Sequence, residues 1–303
     1  MTLRLATRGS RLALAQCEAV ATSLRAIGAE VEIVVIKTSG DRLAQVALAD
    51  FGGKALFVKE IEEALLDGRA DVGVHSLKDM PTVLPDGLIL AAFPAREDPR
   101  DVLLTRTAGG WAALPAGARV GTSSLRRSAL VRARRADLRT EPIRGNVETR
   151  LDKLSAGAYD GVVLASAGLR RLGISPPHLT QLEADEFVPA VGQGILAIEA
   201  READREVLEL LGRLDDTRSR SEALAERALL LRLGADCHTP VAGHARLDGP
   251  TLTLTGLVAS LDGLRMVRAT GTAPPREAGR LGSTVADELL SKGAKALLDA
   301  SHG

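Results

Sequence analysis

The sequence predicts an α/β protein: two domains on mixed, mostly parallel sheets, followed by a smaller C-terminal α+β domain. Three observations carry that expectation. Short apolar runs alternate with amphipathic segments over residues 1–95 and again over 100–190, the rhythm of strand–helix–strand units. Two connections interrupt the rhythm: 95–101 looks like a crossover between domains, and the segment from 187 onward leads into a further strand. From about 217 to 303 the texture changes to one long helix, paired alternating strands and a closing helix. A chain of 303 residues, 45% of them apolar, has length and apolar content for two or three cores.

The elements follow in order. "LRLAT" (3–7) reads as a strand, and 10–27 as a helix in which Ala13, Cys17, Val20, Leu24 and Ile27 share one stripe, placing Cys17 in a core. "VEIVVI" (31–36), "DVGVH" (71–75) and "LILAAF" (88–93) read as strands, with a helix at 56–67. Residues 37–55 form a long Gly-containing stretch of weak periodicity, read as a lid over a binding site. In the second domain "RVGT" (119–122) is a strand, 123–135 a helix, "EPIRGN" a turn, about 147–156 a helix and "GVVLA" (161–165) a strand. "FVPAVGQGILAIEA" (187–200) leads from a connection into a strand, its glycines read as a hinge or tight packing. In the last domain a helix (217–232) precedes Cys237. "TLTLTGLVAS" and "GLRMVRATGT", joined through "LDG", form an antiparallel hairpin, and a helix spans about 276–297.

Composition excludes several classes. Lys and Arg total 39 and so do Asp and Glu, so the chain is no general binder of nucleic acid or anionic membrane. Aromatic residues are 2%, too few for base-stacking platforms. Two cysteines do not make a disulfide scaffold, and the faint lipoprotein pattern "LALAQC" is interrupted by Arg8 and Arg11. No run of 18 apolar residues is present, so a soluble, cytoplasmic chain is expected.

Arginine density marks the chemistry. Residues 126–150 hold Arg126, Arg127, Arg132, Arg134, Arg135, Arg139, Arg144 and Arg150. Three readings compete: a solvated helix face, which suits Arg132, Arg134 and Arg135; a nucleic-acid patch; and a pocket for a small polycarboxylate or phosphate. Placement favours the pocket for a subset. "GTSSLRR" follows a strand and opens a helix, where free N–H groups and the hydroxyls of Ser123 and Ser124 face an anion. Arg126 and Arg127 stand in that first turn against the helix dipole, which makes sense if an anion neutralises them. Arg144 lies in a Gly-containing turn with Asn146 as N-cap, and Arg150 one turn on. In the first domain Arg8 and Ser10 follow a strand, and Lys78 and Asp79 close "HSLKDMP" at another strand end, where open α/β sheets bind ligands. Lys–Asp neighbours on a surface turn are the plainer reading of that pair. Cys237 with His238 and His244 fits no common zinc spacing, so no metal is expected.

In this order, "LRLATRGSRLALAQ", "GGKALFVKEIEEALL", "ADVGVHSLKDMP", "FPAREDPRDVLL", "GTSSLRRSA", "IRGNVETRLDKL", "LASAGLRRLG" and "PAVGQGILAIE" resemble the motifs of the porphobilinogen deaminase (hydroxymethylbilane synthase) family, along nearly the whole chain. The resemblance implies a transferase of tetrapyrrole, porphyrin and haem-type biosynthesis. Four porphobilinogen units join a dipyrromethane primer with loss of ammonia, and hydrolysis then releases hydroxymethylbilane. It implies that Cys237 carries the dipyrromethane through a thioether and that Asp79 is the catalytic acid. Lys78, Asp79, Ser124, Arg126, Arg127 and Arg144 are implied to bind the cofactor, and Arg8, Ser10, Arg144, Arg150, Arg171, Phe57 and Lys54 the substrate. Two domains like those of periplasmic binding proteins, with the chain crossing between them twice and returning at about 195–213 to the first, a monomer, and a product passed to the next enzyme of the pathway are also implied. The chain departs from the pattern at Asp236 and His238, where the family commonly has glycine and glutamine, and at Ala55, where glycine is usual. Asp236 disfavours the thiolate and a protonated His238 favours it. The competing class is a two-domain small-anion-binding module without catalysis, which needs neither Cys237 nor a third domain.

Overall fold

A computed structural model describes residues 2–37, 58–235 and 239–300. The first stretch of chain gives β1 (Thr2–Arg8), α1 (Arg11–Ala26), β2 (Glu30–Ile36), α2 (Lys59–Leu66), β3 (Val72–Ser76) and β4 (Leu88–Ala92). The middle gives β5 (Asp101–Thr105), β6 (Arg119–Gly121), α3 (Leu125–Arg134), β7 (Arg139–Glu141), α4 (Val147–Ser155), β8 (Gly161–Ala165), α5 (Ser166–Arg171) and β9 (Leu179–Leu182). The last gives β10 (Leu196–Arg201), α6 (Arg205–Gly212), α7 (Thr217–Leu233), β11 (Val241–Asp248), β12 (Thr251–Ala259), β13 (Met266–Ala273), α8 (Ala278–Ser291) and α9 (Ala294–Asp299).

These elements fall into two units. The first comprises Met1–Glu97 and Ile195–Ala223, the second Asp98–Gly194 and Leu224–Gly303. The chain therefore changes unit near both expected connections and once more inside α7, and the segment returned to the first unit runs past 213 to Ala223.

In the first unit the strand order is β2-β1-β3-β10-β4. β1 runs parallel to β2 and β3, whereas β10 is antiparallel to both β3 and β4. Side-chain alternation splits the sheet into two faces. Leu3, Leu5, Val72, Val74 and Ile198 pack with Cys17, Val20 and Leu24 of α1 and Val207 and Leu211 of α6. Ala6 meets Ile61, Ala64 and Leu65 of α2 on the other face. The stripe that placed Cys17 inside is correct: the thiol is fully buried, and burial pushes it up to about 12.

The second unit repeats the plan as β7-β6-β8-β5-β9, with β5 antiparallel to β8 and β9. Its α3 face packs Leu103, Val120 and Val163 against Ala129 and Leu130, and Ala242, Leu257 and Ala259 of the C-terminal sheet join the same core. That third sheet is the antiparallel meander β11-β12-β13, backed by Leu229 of α7 and Val285 and Leu289 of α8. The hairpin expected through "LDG" is β12–β13. The closing helix is two helices, α8 and α9, because Gly293 at φ +94° breaks it. β5, β9, β11 and the short helices α5 and α6 are elements the periodicity did not announce.

Candidate active site

In the first unit the parallel neighbours β1 and β3 end on the same edge of the sheet, bringing Arg8 and the Lys78–Asp79 turn to that edge. Ser10 caps α1, its Oγ accepting from Ala13 N at 3.3 Å, so its hydroxyl proton stays available to a ligand. β3 runs into a single 3-10 turn, Leu77–Asp79. Three contacts hold that turn. Leu77 is buried, Leu77 N donates to Ile195 O at 3.0 Å, and Gln16 Nε2 donates to Ser76 Oγ at 2.9 Å. Lys78 and Asp79 are half-buried. Lys54, Phe57 and the whole expected lid except Lys37 lie outside the described residues, as does Cys237 with Asp236 and His238.

In the second unit Ser124 caps α3, accepting from Arg127 N at 3.4 Å, and Asn146 caps α4 as expected, its Oδ1 accepting from Thr149 N at 2.9 Å. Ser123 ties the β6 end to the "IRGN" turn, donating to Ile143 O at 2.8 Å and accepting from Ile143 N at 3.1 Å. Arg126 and Arg127 point inward, not to solvent: they are 4% and 8% exposed. Both meet Asp101, the fully buried first residue of β5. Arg126 Nη2 donates to Oδ2 at 2.7 Å and Arg127 Nη2 to Oδ1 at 2.8 Å. Gln193 Nε2 adds a donor to Oδ1 at 3.0 Å, and Arg126 Nη1 reaches Val188 O at 2.7 Å. Burial works to raise the Asp101 carboxyl, but the two guanidiniums outweigh it and hold it below the usual range.

The charges do not balance. Among the described residues two buried guanidiniums face one carboxylate, and Arg126 Nε is buried without a hydrogen-bond partner. Arg150, whose Nε donates to Gly145 O at 2.9 Å, belongs to the same field: burial, then Arg127, pull its guanidinium below its ordinary range. An excess of positive charge at a helix N-terminus suits a ligand bearing several carboxylates. Arg171 donates through Nη2 to Gly194 O at 2.6 Å, and Arg144 is exposed in the turn. Arg134, read as a surface residue, is 52% exposed and pairs with Glu186 at 2.7 Å. Sequence reading missed Asp101, whose carboxylate neutralises half of the Arg126 and Arg127 charge, and Gln193, whose amide donates to it; the available signal was an acid directly before the apolar run "VLL".

A family model described as porphobilinogen deaminase, dipyromethane cofactor binding domain, matches residues 3–209, and one for the porphobilinogen deaminase C-terminal domain matches 221–291. The chain belongs to the porphobilinogen deaminase family. A protein named porphobilinogen deaminase from Syntrophobacter fumaroxidans is 48% identical over 299 residues, covering 98% of this chain and 97% of the relative. Another of that name, from Syntrophotalea carbinolica, is 49% identical over 300 residues, covering 98% and 95%. Among solved structures, a nutrient binding protein from Burkholderia cenocepacia bound to methionine overlays at a TM-score of 0.44 and 10% identity, covering 76% of this chain and 95% of that one, too loosely to bear on the assignment. Members of the porphobilinogen deaminase family are enzymes with a dipyrromethane cofactor, and the buried, half-neutralised arginines with the orphaned Arg126 Nε fit such a group. Among the described residues no helix is long and apolar enough to cross a membrane, and no group of His, Cys, Asp and Glu is arranged to hold a metal ion.

Proposed function

We propose that this chain is a hydroxymethylbilane synthase. It joins four porphobilinogens head to tail on a dipyrromethane primer held by Cys237, releases ammonia at each step, and hydrolyses off the tetrapyrrole. The observation that carries the reading is the buried excess of guanidinium charge at the start of α3. The dipyrromethane, when bound, supplies the pyrrole carbon to which the first substrate joins. Arg126, Arg127, Arg144, Ser124 and Lys78 would hold its carboxylates, while Arg8, Ser10, Arg144, Arg150, Arg171, Lys54 and Phe57 would seat the incoming substrate. Asp79 donates a proton to the departing amine and then, as a carboxylate, steadies the cation left on the substrate. On this reading the chain works as a cytoplasmic monomer, touches neither membrane nor nucleic acid, and hands its product to the next enzyme of tetrapyrrole synthesis.

Intact mass tests the assignment. The purified protein is expected to exceed its sequence mass by one dipyrromethane, mapped to the peptide of Cys237. Cys237→Ser loses the adduct and turnover, and Cys17→Ser keeps both. A bare-sequence mass that persists after incubation with porphobilinogen overturns the reading. Asp79→Asn, with its adduct verified, is expected to lose about 10²–10⁴-fold in kcat; near-normal turnover returns "HSLKD" to a plain surface turn.

A further inference from the structure

On its α2 side the first sheet buries, besides the ion-paired Asp71, three titratable side chains that the proposed chemistry does not use. His75 on β3 is 5% exposed, Glu62 on α2 is 8% and Glu199 on β10 is 0%. Glu199 lies across from Gly73 and Ala197 across from His75, so the imidazole leans along its own strand to bring Nε2 within 3.0 Å of Glu199 Oε2. Residue 73 must be small for this. A Cβ there would stand 2.7 Å from His75 Nε2 and 3.1 Å from Ile61 Cγ2. Among the described residues, the second oxygen of Glu199 and Oε1 of Glu62 are both buried without a hydrogen-bond partner.

The neighbouring charges do not relieve this set. On the same face Arg4 of β1 and Arg201 of β10 are both engaged by Asp71, at 2.8 and 3.1 Å. Glu60 and Glu63 on α2 add further negative charge, and Glu63 lies at the surface. Two buried carboxyl groups therefore lie in the field of one imidazole, which bonds Glu199. An unpaired charge is costly in such a place, and the group takes up a proton instead. Glu62 is the member that does so: burial, then Glu199, push its carboxyl up to about 7, against the opposing pull of His75.

We propose that Glu62, His75 and Glu199 form a proton-holding set that positions the Lys78–Asp79 turn, with Glu62 protonated in the working enzyme. The proposal rests on the reading of Asp79 as the catalytic acid. His75 stands four residues before Asp79 on the strand that runs into the turn, and β10 supplies Glu199 while the residue just before it, Ile195, accepts from Leu77 N. Seating the ring on Glu199 fixes the strand end. A second negative charge on Glu62 competes for the ring and loosens that seat. Because the folded value of Glu62 lies above its ordinary 4.5, the stability it contributes is complete below that value and is lost as pH rises through about 7.

Infrared difference spectra of the unmodified protein are expected to show one protonated-carboxyl band that disappears as pH is raised through about 7, and that is missing from Glu62→Gln. The urea midpoint of the wild type is expected to fall between about pH 5 and about pH 8, and that fall is expected to be largely removed in Glu62→Gln. The alkaline limb of kcat moves upward in the same variant. Absence of the band from the wild type, or a Glu62→Gln protein with the wild-type slope, overturns the proposal. The band is read on the native sequence, so it decides even for a variant too unstable to purify. Neither the band nor the urea series uses substrate, so their failure is distinguishable from failure of the wild type to consume porphobilinogen.

Discussion

Each α/β unit fills the fourth place of a five-stranded sheet with one opposing strand, and that strand carries a fully buried acid: Glu199 of β10 in the first unit, Asp101 of β5 in the second. The surroundings of the two acids differ in kind. Asp101 is enclosed by two permanent cations and the Gln193 amide, with both oxygens engaged. Glu199 has one oxygen on an imidazole and the other without a partner. The surroundings of the two slots therefore respond to pH in opposite directions, through Asp101 in one and through Glu62 in the other. Asp101 lies below its ordinary range, so its contribution is present above the unfolded value of 3.8 and is lost as pH falls through the lower folded one. The set around Glu199 loses its contribution in the other direction, as Glu62 ionises. One unit is guarded against alkali by its arginines, the other against acid by its shared proton.

The comparison breaks most visibly at Asp101. Asp101→Asn leaves two buried guanidiniums without an anion and is expected to cost about 3–5 kcal/mol, read from urea unfolding. If the loss is under about 1 kcal/mol, the arginines are not held by Asp101 and the contrast between the units fails. Next comes Gly73→Ala, which sharpens the other side. Its methyl group meets the His75 ring, and overpacking of this kind costs about 1–3 kcal/mol. The alanine protein is also expected to lose the shift of the His75 ring resonances that reports the Glu199 contact; resonances unchanged from wild type would mean that the glycine is not what seats the ring. Smallest is Arg134→Leu, which removes an exposed pair with Glu186 and is expected to change stability by no more than about 1 kcal/mol, with turnover intact. A large loss there would show that the arginines of α3 cannot be sorted by depth.

What could be read in advance follows from whether the signal was local. The α1 stripe through Cys17, the cap Asn146 and the "LDG" hairpin depend on residues within one element or turn, and each stands as expected. The arginines of "SSLRR" were legible as a concentration of positive charge but not as partners of Asp101, which lies 25 and 26 positions away and reaches them only because β5 enters antiparallel beside β8. The segment around 95–101 was read as a polar crossover, and its last residue is instead the buried start of a strand. β11 escaped because its buried positions are mostly Ala and Gly, too small to mark an alternation. Glu199 was not singled out, although it stands as a lone acid inside the apolar run "ILAIEA", and its partner His75 was hidden inside a motif read for Lys78 and Asp79.

The late arrival of β10 has a consequence for biosynthesis. All five strands of the second sheet lie between Asp101 and Leu182, so that sheet has its full complement once this stretch has left the ribosome. The first sheet, although translated earlier, waits with a gap between β3 and β4 until Leu196–Arg201 emerges. Folding units usually mature from the N-terminus during synthesis; here the second sheet can close before the first. Until then the nascent chain exposes two unpaired strand edges, and the backbone acceptor that holds the Lys78–Asp79 turn, Ile195 O, has yet to be made.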